Sequence, residues 1–313
     1  MKKSLLIPCL VILIPVLPIH AQFQQIPDPF INVYLGAADW ADLNRDGFPD
    51  LAIAGMDSLG IRKTAVYRNN GDSSFTALMA GLPGVDRADA DWCDYNNDGF
   101  YDLMILGDTD EGMPIAQLYS NNGNETFTRV PFAFTGVKHG EAAWADYDRD
   151  GLQDVVITGD TYYTYSTILY RNNGDSTFTA YPSLFPGLLH STAEWRDFNR
   201  DGFPDLLLNG HSTTSTAPSA YLFANNGDGS FSPVFAGIAG VAYGVARWGD
   251  FNNDTLPDIF ISGSSDGLKV RVYKNNGNST FTLQDIPELE GLFHCDASLF
   301  DYDNDGLTDI LIS

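Results

Sequence analysis

Six aspartate-rich nonapeptides are the segments of this chain whose residue types and spacing could do chemistry. The first, DLNRDGFPD, sets Asp42, Asn44, Asp46 and Asp50 at places 1, 3, 5 and 9, with Gly47 at place 6. Alternate oxygen-bearing side chains wrapped around a glycine-permitted turn can converge on one point, and a set of hard oxygen donors suits Ca²⁺. A solvated Asp/Asn/Gly turn would use the same residue types, so repetition decides between the two readings. The pattern returns as Asp94, Asn96, Asp98, Asp102, then as Asp146, Asp148, Asp150, Asp154, and again as Asp197, Asn199, Asp201, Asp205. The last two copies are Asp250, Asn252, Asp254, Asp258 and Asp301, Asp303, Asp305, Asp309. Successive copies lie 52, 52, 51, 53 and 51 residues apart.

Place 7 is Phe48, Phe100, Leu152, Phe203, Leu256 and Leu307, which can offer only a backbone carbonyl, as an EF-hand does at its seventh position. Place 12 is Ile or Leu rather than the bidentate Glu of an EF-hand, so a helix-loop-helix sensor is excluded. Aspartate at place 9 is expected to close the shell, giving up to six structural Ca²⁺ sites. Thr255 replaces glycine at place 6 of the fifth copy, where a Cβ is penalised. That loop is expected to be distorted or to bind poorly.

A fixed frame surrounds each nonapeptide. A Trp stands two residues before the first Asp in five copies (Trp40, Trp92, Trp144, Trp195, Trp248), with Leu299 in the sixth. An apolar run such as LAIAG follows, then a second signature of the form YRNNGDSSF. Asn-Gly between β-favouring segments signals a two-residue type I′ hairpin. Each unit therefore reads as four short antiparallel strands, and a repeat of this length matches a β-propeller blade. The Trp residues read as blade-to-blade core.

With the acidic nonapeptide and the Asn-Asn-Gly hairpin recurring in register, the chain resembles the FG-GAP/VCBS repeat family, whose blades also build the integrin α head. The resemblance covers Phe23 to Ser313. It implies an all-β propeller, usually seven-bladed, with calcium between the first and second strands of each blade. Integrin-like ligand binding does not carry over, because shared fold is only analogy. The sequence reads as five complete blades and a partial sixth, starting on an outermost strand at Phe23. Part of a seven-bladed ring, truncated at the C-terminus, is the expectation; a six-bladed ring with one incomplete blade is the alternative.

Residues 1–21, with two lysines, a long apolar stretch and Ala21, are built like a secretory signal peptide. The mature region, 22–313, is then expected outside the cell or at its surface, with the periplasm as a further option and no membrane insertion. Cys93 and Cys295 sit at different places in non-adjacent repeats, so free buried thiols are expected rather than a bridge. Net charge is −24, which disfavours nucleic acid as a partner. Without Lys2 and Lys3 it becomes −26, and six Ca²⁺ would bring it to −14, relieving nearly half of the self-repulsion.

Chain direction puts the acidic loop and the Asn-Asn-Gly hairpin on one face of each blade. On the opposite face, seven residues before each nonapeptide, stand Leu35, Arg87, His139, His190, Tyr243 and His294. The last five form a candidate ring at the channel mouth for an anionic or sugar ligand, or for a transition metal on the imidazoles. Loops joining the second and third strands add Asp108, Asp110 and Glu111, then Tyr162, Tyr163 and Tyr165, then His211. Ordinary polar loops with duplicated histidines are the plainer reading. The functions in view are a non-catalytic adhesion, recognition or scaffold module for an extracellular protein or carbohydrate, and a lyase-like polysaccharide-degrading enzyme. No nucleophile elbow, HExxH zinc motif or phosphate-cradling loop is present.

Overall fold

A computed structural model describes residues 29–212, 215, 217–284, 292–293, 295–302 and 308–312. Residues 1–21, expected to be a signal peptide, and Phe23 lie outside the described residues, as do His294, Asp303, Asp305 and Leu307.

Among the described residues there are twenty-two strands, of which the first twenty form five four-stranded antiparallel units in sequence order. The first is β1 (Tyr34–Ala41), β2 (Asp50–Met56), β3 (Arg62–Asn69) and β4 (Phe75–Leu78). The second is β5 (Asp86–Cys93), β6 (Asp102–Asp108), β7 (Pro114–Asn121) and β8 (Phe127–Arg129). The third is β9 (Lys138–Ala145), β10 (Asp154–Asp160), β11 (Tyr165–Asn172) and β12 (Phe178–Tyr181). The fourth is β13 (Leu188–Arg196), β14 (Asp205–Ser212), β15 (Ser219–Asn225) and β16 (Phe231–Val234). The fifth is β17 (Ala242–Gly249), β18 (Asp258–Ser264), β19 (Leu268–Asn275) and β20 (Phe281–Gln284). β21 (Ala297–Phe300) and β22 (Asp309–Ile312) pair as the inner half of a sixth. The first strands β1, β5, β9, β13, β17 and β21 stand side by side in that order, which is a propeller's inner row.

The core lies between blades. Leu43, Ala52, Ala54 and Val66 of the first blade pack on Val85, Trp92, Leu103 and Ile105 of the second, and each later junction repeats the scheme. Second strands are covered on both faces, which is why their sequences are unbroken apolar runs; every residue of β6 is buried. Trp92 and Trp248 are buried and Trp144 and Trp195 half-buried, as core residues should be, but Trp40 is 53% exposed because no described blade packs against that side. Cys93 and Cys295 are free and buried, and burial pushes the Cys93 thiol far up.

The hairpin between third and fourth strands differs from the expected two-residue turn. Asn69 pairs with Phe75 across a five-residue loop closed by a bond from Asn70 N to Ser74 O at 3.0 Å. The cause is the residue after Asn-Gly: the Asp72 carboxylate accepts from both the backbone N and the hydroxyl of Ser74, an Asx turn that enlarges the loop.

Candidate functional site

Each of the first five acidic loops is folded by its own carboxylates. In the first, Asp42 accepts from Asp46 N at 3.0 Å and Gly47 N at 2.8 Å, Asn44 Oδ1 accepts from Asp46 N, and Asp46 accepts from Phe48 N. The second and fourth loops repeat these bonds atom for atom. Two left-handed residues make the turn, Arg45 (φ 64) at place 4 and Gly47 (φ 88) at place 6. The fifth loop keeps part of this scheme and departs from the rest: Thr255 adopts φ 69, its N donates to Asp250 at 2.8 Å and Leu256 N to Asp254 at 3.0 Å, but Asn252 Nδ2 turns to Asp258 at 2.9 Å where Asn44, Asn96 and Asn199 donate to place 5.

Place 9 is a larger feature than a ligand closing a shell. Asp50, Asp102, Asp154, Asp205 and Asp258 are buried. One oxygen of Asp102 accepts from Tyr95 N at 3.1 Å, within the acidic loop, and the other from Asn121 N at 2.8 Å, at the hairpin. Asn121 Nδ2 in turn donates to Leu43 O of the preceding blade at 2.8 Å. Loop, hairpin and neighbouring blade are thus tied at one carboxylate. Burial foremost pushes Asp102, Asp154 and Asp205 up to about 7, and charges at other places of the same loops add to the shift. Place 7 also has a packing role: the Phe48 ring lies where a Cβ on Gly71 of the hairpin would sit, 2.6 Å away.

The third loop tests the fit for a metal ion most sharply. Asp146, Asp148 and Asp154 each bring an oxygen within 4.8 Å of the others. Asp146 Oδ1 is buried with no hydrogen-bond partner. Such an oxygen is costly unless a cation or donor meets it. Arg171 pairs with Asp148 Oδ2 and Asp150 Oδ2, both at 2.5 Å. Oxygen-only donors around an orphaned carboxylate oxygen fit calcium, with Asp146, Asp148, Asp150, Asp154 and the Leu152 carbonyl as holders. Of the sixth loop only Asp301 and Asp309 are described at donor places, Asp309 accepting from Tyr302 N at 2.8 Å.

On the opposite face, Leu35, Arg87, His139, His190 and Tyr243 line one cavity of about 440 Å³, together with Cys295 and Asp296. Ring centroids run 4.3 Å from His139 to His190, 3.9 Å to Tyr243 and 4.8 Å on to Phe293. All five described residues at this place are left-handed, with φ between 47 and 53, and each lies within the register shift of its inner strand. Non-glycine residues in this conformation cost about 1–3 kcal/mol each and collect at ligand sites. Arg87 is held by Asp86 at 2.9 Å, and Lys138 by Asp108 at 2.9 Å. Tyr162 and Tyr163 are exposed, whereas Tyr165 begins β11. His211 lies inside β14 rather than in the loop where the sequence placed it, paired with Leu189 across the sheet.

Below the mouth runs a set of acids that the sequence reading passed over. Asp39 accepts from Trp92 N, Asp89 from Ala142 N, Glu141 from Ala193 N and Glu194 from Trp248 N, at 2.6–3.0 Å. Each donor is an inner-edge N–H of the next blade, left unpaired by the sheet. The signal was available: acids at alternate positions ahead of the Trp. Arg247 pairs with Glu141 and Asp296, both at 3.1 Å. Asp89 and Asp91 are half-buried, and enclosure by protein raises both, reinforced by Glu141 on Asp89 and by Asp89 on Asp91. Burial pushes Glu194 up to about 7.

Asp89, Asp91 and Glu194 hold protons in the folded chain that the unfolded chain releases, so stability falls as pH rises from the ordinary carboxylate values of about 4 through about 7 for Glu194 and about 8 for Asp89. In chelator, melting is therefore expected at a higher temperature at about pH 5 than at about pH 7.5. Glu194→Gln, which keeps an acceptor for Trp248 N, should flatten the dependence. A melt that rises with pH would contradict this.

The FG-GAP-like repeat profile matches residues 42–105, 94–157, 146–208, 197–261 and 250–312, each match running from one acidic loop through the second strand of the next blade. No curated protein matches the chain. No helix among the described residues is long and apolar enough to cross a membrane.

Proposed function

The chain belongs to the FG-GAP-like repeat family, and from that premise we propose that it is an exported, calcium-stabilised propeller acting as a non-catalytic recognition module. FG-GAP repeats form modules commonly tied to adhesion and found outside cells. Calcium sits in the acidic loops as structural metal, held by places 1, 3, 5 and 9 with the place 7 carbonyl. Its role is to neutralise converging carboxylates, so that each loop holds its turn. The ligand, an extracellular carbohydrate or protein, binds at the other face.

The observation that carries the reading is the convergence of Arg87, His139, His190 and Tyr243 on one cavity, on the face away from the acidic loops. An aromatic row beside a guanidinium offers stacking for a sugar ring and donors for its hydroxyls. Glycan-array binding of the full chain, repeated with His139→Ala/His190→Ala, tests it. The expected result is a glycan signal lost by at least about tenfold in the double variant, the equivalent of 1.4 kcal/mol. Undiminished binding would reject this mouth as the site. Release of reducing or unsaturated ends from a bound polysaccharide would replace recognition by catalysis.

A further inference from the structure

One side chain in each of the first four acidic loops points away from its own metal donors and into the next blade. Arg45, at place 4 of the first loop, donates from Nε to Gly99 O at 2.6 Å and from its terminal nitrogen to Asp98 O at 2.5 Å. Its guanidinium also lies 4.0 Å above the Phe100 ring. Those residues are places 5, 6 and 7 of the second loop. Asn97, at place 4 there, donates to Gly151 O at 2.6 Å, place 6 of the third loop. Arg149 lies over the Phe203 ring at 5.4 Å, with a nitrogen 3.1 Å from where a Cβ on Gly202 would stand. Arg200 donates to Asp254 O at 3.4 Å and to the hydroxyl of Thr255. Thr255 thus replaces the glycine with a group that its neighbour uses.

We propose that the place 4 residues Arg45, Asn97, Arg149 and Arg200 are positioning residues that couple calcium binding between neighbouring loops. The inference rests on the calcium reading above. Place 4 lies between two donors of its own loop, so an ion that fixes places 3 and 5 fixes the direction in which the place 4 side chain leaves the backbone. Arg45, Asn97 and Arg200 bond the peptide carbonyls of places 5 and 6 of the next loop, and Arg149 lies over its place 7 ring; this stretch carries one carboxylate donor and the carbonyl donor. Occupancy of one loop therefore meets part of the ordering cost of the next, and affinity rises along the row. By linkage the effect is reciprocal: a filled second loop favours the first equally. Every contact is to backbone, ring or hydroxyl, so a guanidinium and an amide can serve the same place.

The test is a calcium titration of the full chain by calorimetry, with melting measured in calcium and in chelator. The wild-type chain is expected to titrate with a Hill coefficient above 1. Arg45→Ala should lower that coefficient and weaken half-saturation by roughly fivefold, the low end of ordinary coupling. It should also shrink the gap between the two melting temperatures. Arg45→Asn, carrying the residue that the second loop already uses, should restore part of the effect. Asn97→Ala, a smaller change, provides the same reading if Arg45→Ala folds poorly. An equal drop in melting temperature with and without calcium, at an unchanged Hill coefficient, would make the contact merely structural and overturn the proposal. A wild-type titration with a coefficient of 1 would overturn the coupling and leave the calcium reading standing; absence of calcium binding would overturn both.

Discussion

Transfer from millimolar calcium into a chelator is expected to lower the melting temperature by on the order of 10 °C or more. The cause is electrostatic. Five described loops each fold three or four carboxylates around a turn, and the chain carries −24 overall. A ligand at a hundredfold excess over its dissociation constant adds about 2.7 kcal/mol per site, and a chain of this size shifts by about 2–4 °C per kcal/mol. Even partial filling of several sites therefore moves the transition widely. Magnesium should restore less of the loss, because it demands tight octahedral geometry whereas calcium accepts six to eight oxygens in a flexible shell. Differential scanning fluorimetry at constant ionic strength measures the effect. Equal melting in calcium and chelator would contradict it.

Asp102→Ala is expected to be the most damaging single substitution that persists without metal. Its carboxylate is fully buried and is the acceptor for Tyr95 N and Asn121 N. Each buried N–H left without an acceptor costs about 1–3 kcal/mol, so the pair costs roughly 2–6 kcal/mol. Asp102→Asn, which retains one acceptor oxygen, should fall between. Asp98→Ala is the contrast: its oxygens bond only within its own exposed loop, so its cost should appear in calcium and largely vanish in chelator. Urea denaturation of the three variants, with and without calcium, separates the two kinds of aspartate. Equal losses at places 5 and 9 in chelator would show that the buried carboxylate is no hub.

Strand ends were legible to within a residue, because each is set by a local signal: β1 ends next to Asp42, β2 begins at Asp50, β3 ends at Asn69 and β4 begins at Phe75. The gathering of Arg87, His139, His190 and Tyr243 was legible too, since a repeat puts equal places on equal points around an axis. What escaped were interactions one repeat length apart in the chain. Asp39 meeting Trp92 and Arg45 meeting Asp98 depend on how blades nest, and no periodicity within a blade announces them. The hairpin was misjudged because Asp72 competes for the turn's backbone donors. At Thr255 the sequence pointed to a local departure, and the altered bonding of Asn252 to Asp258 is one, but the hydroxyl's bond with Arg200 of the neighbouring blade was not legible.

The most direct measurement is the calcium content of the purified chain after equilibrium dialysis, counted per chain by elemental analysis and repeated on Asp146→Ala. Close to six ions per chain are expected, one for each nonapeptide in the sequence, falling by one in the variant that removes the orphaned oxygen of the third loop. Less than one ion per chain, unchanged by Asp146→Ala, would contradict the account.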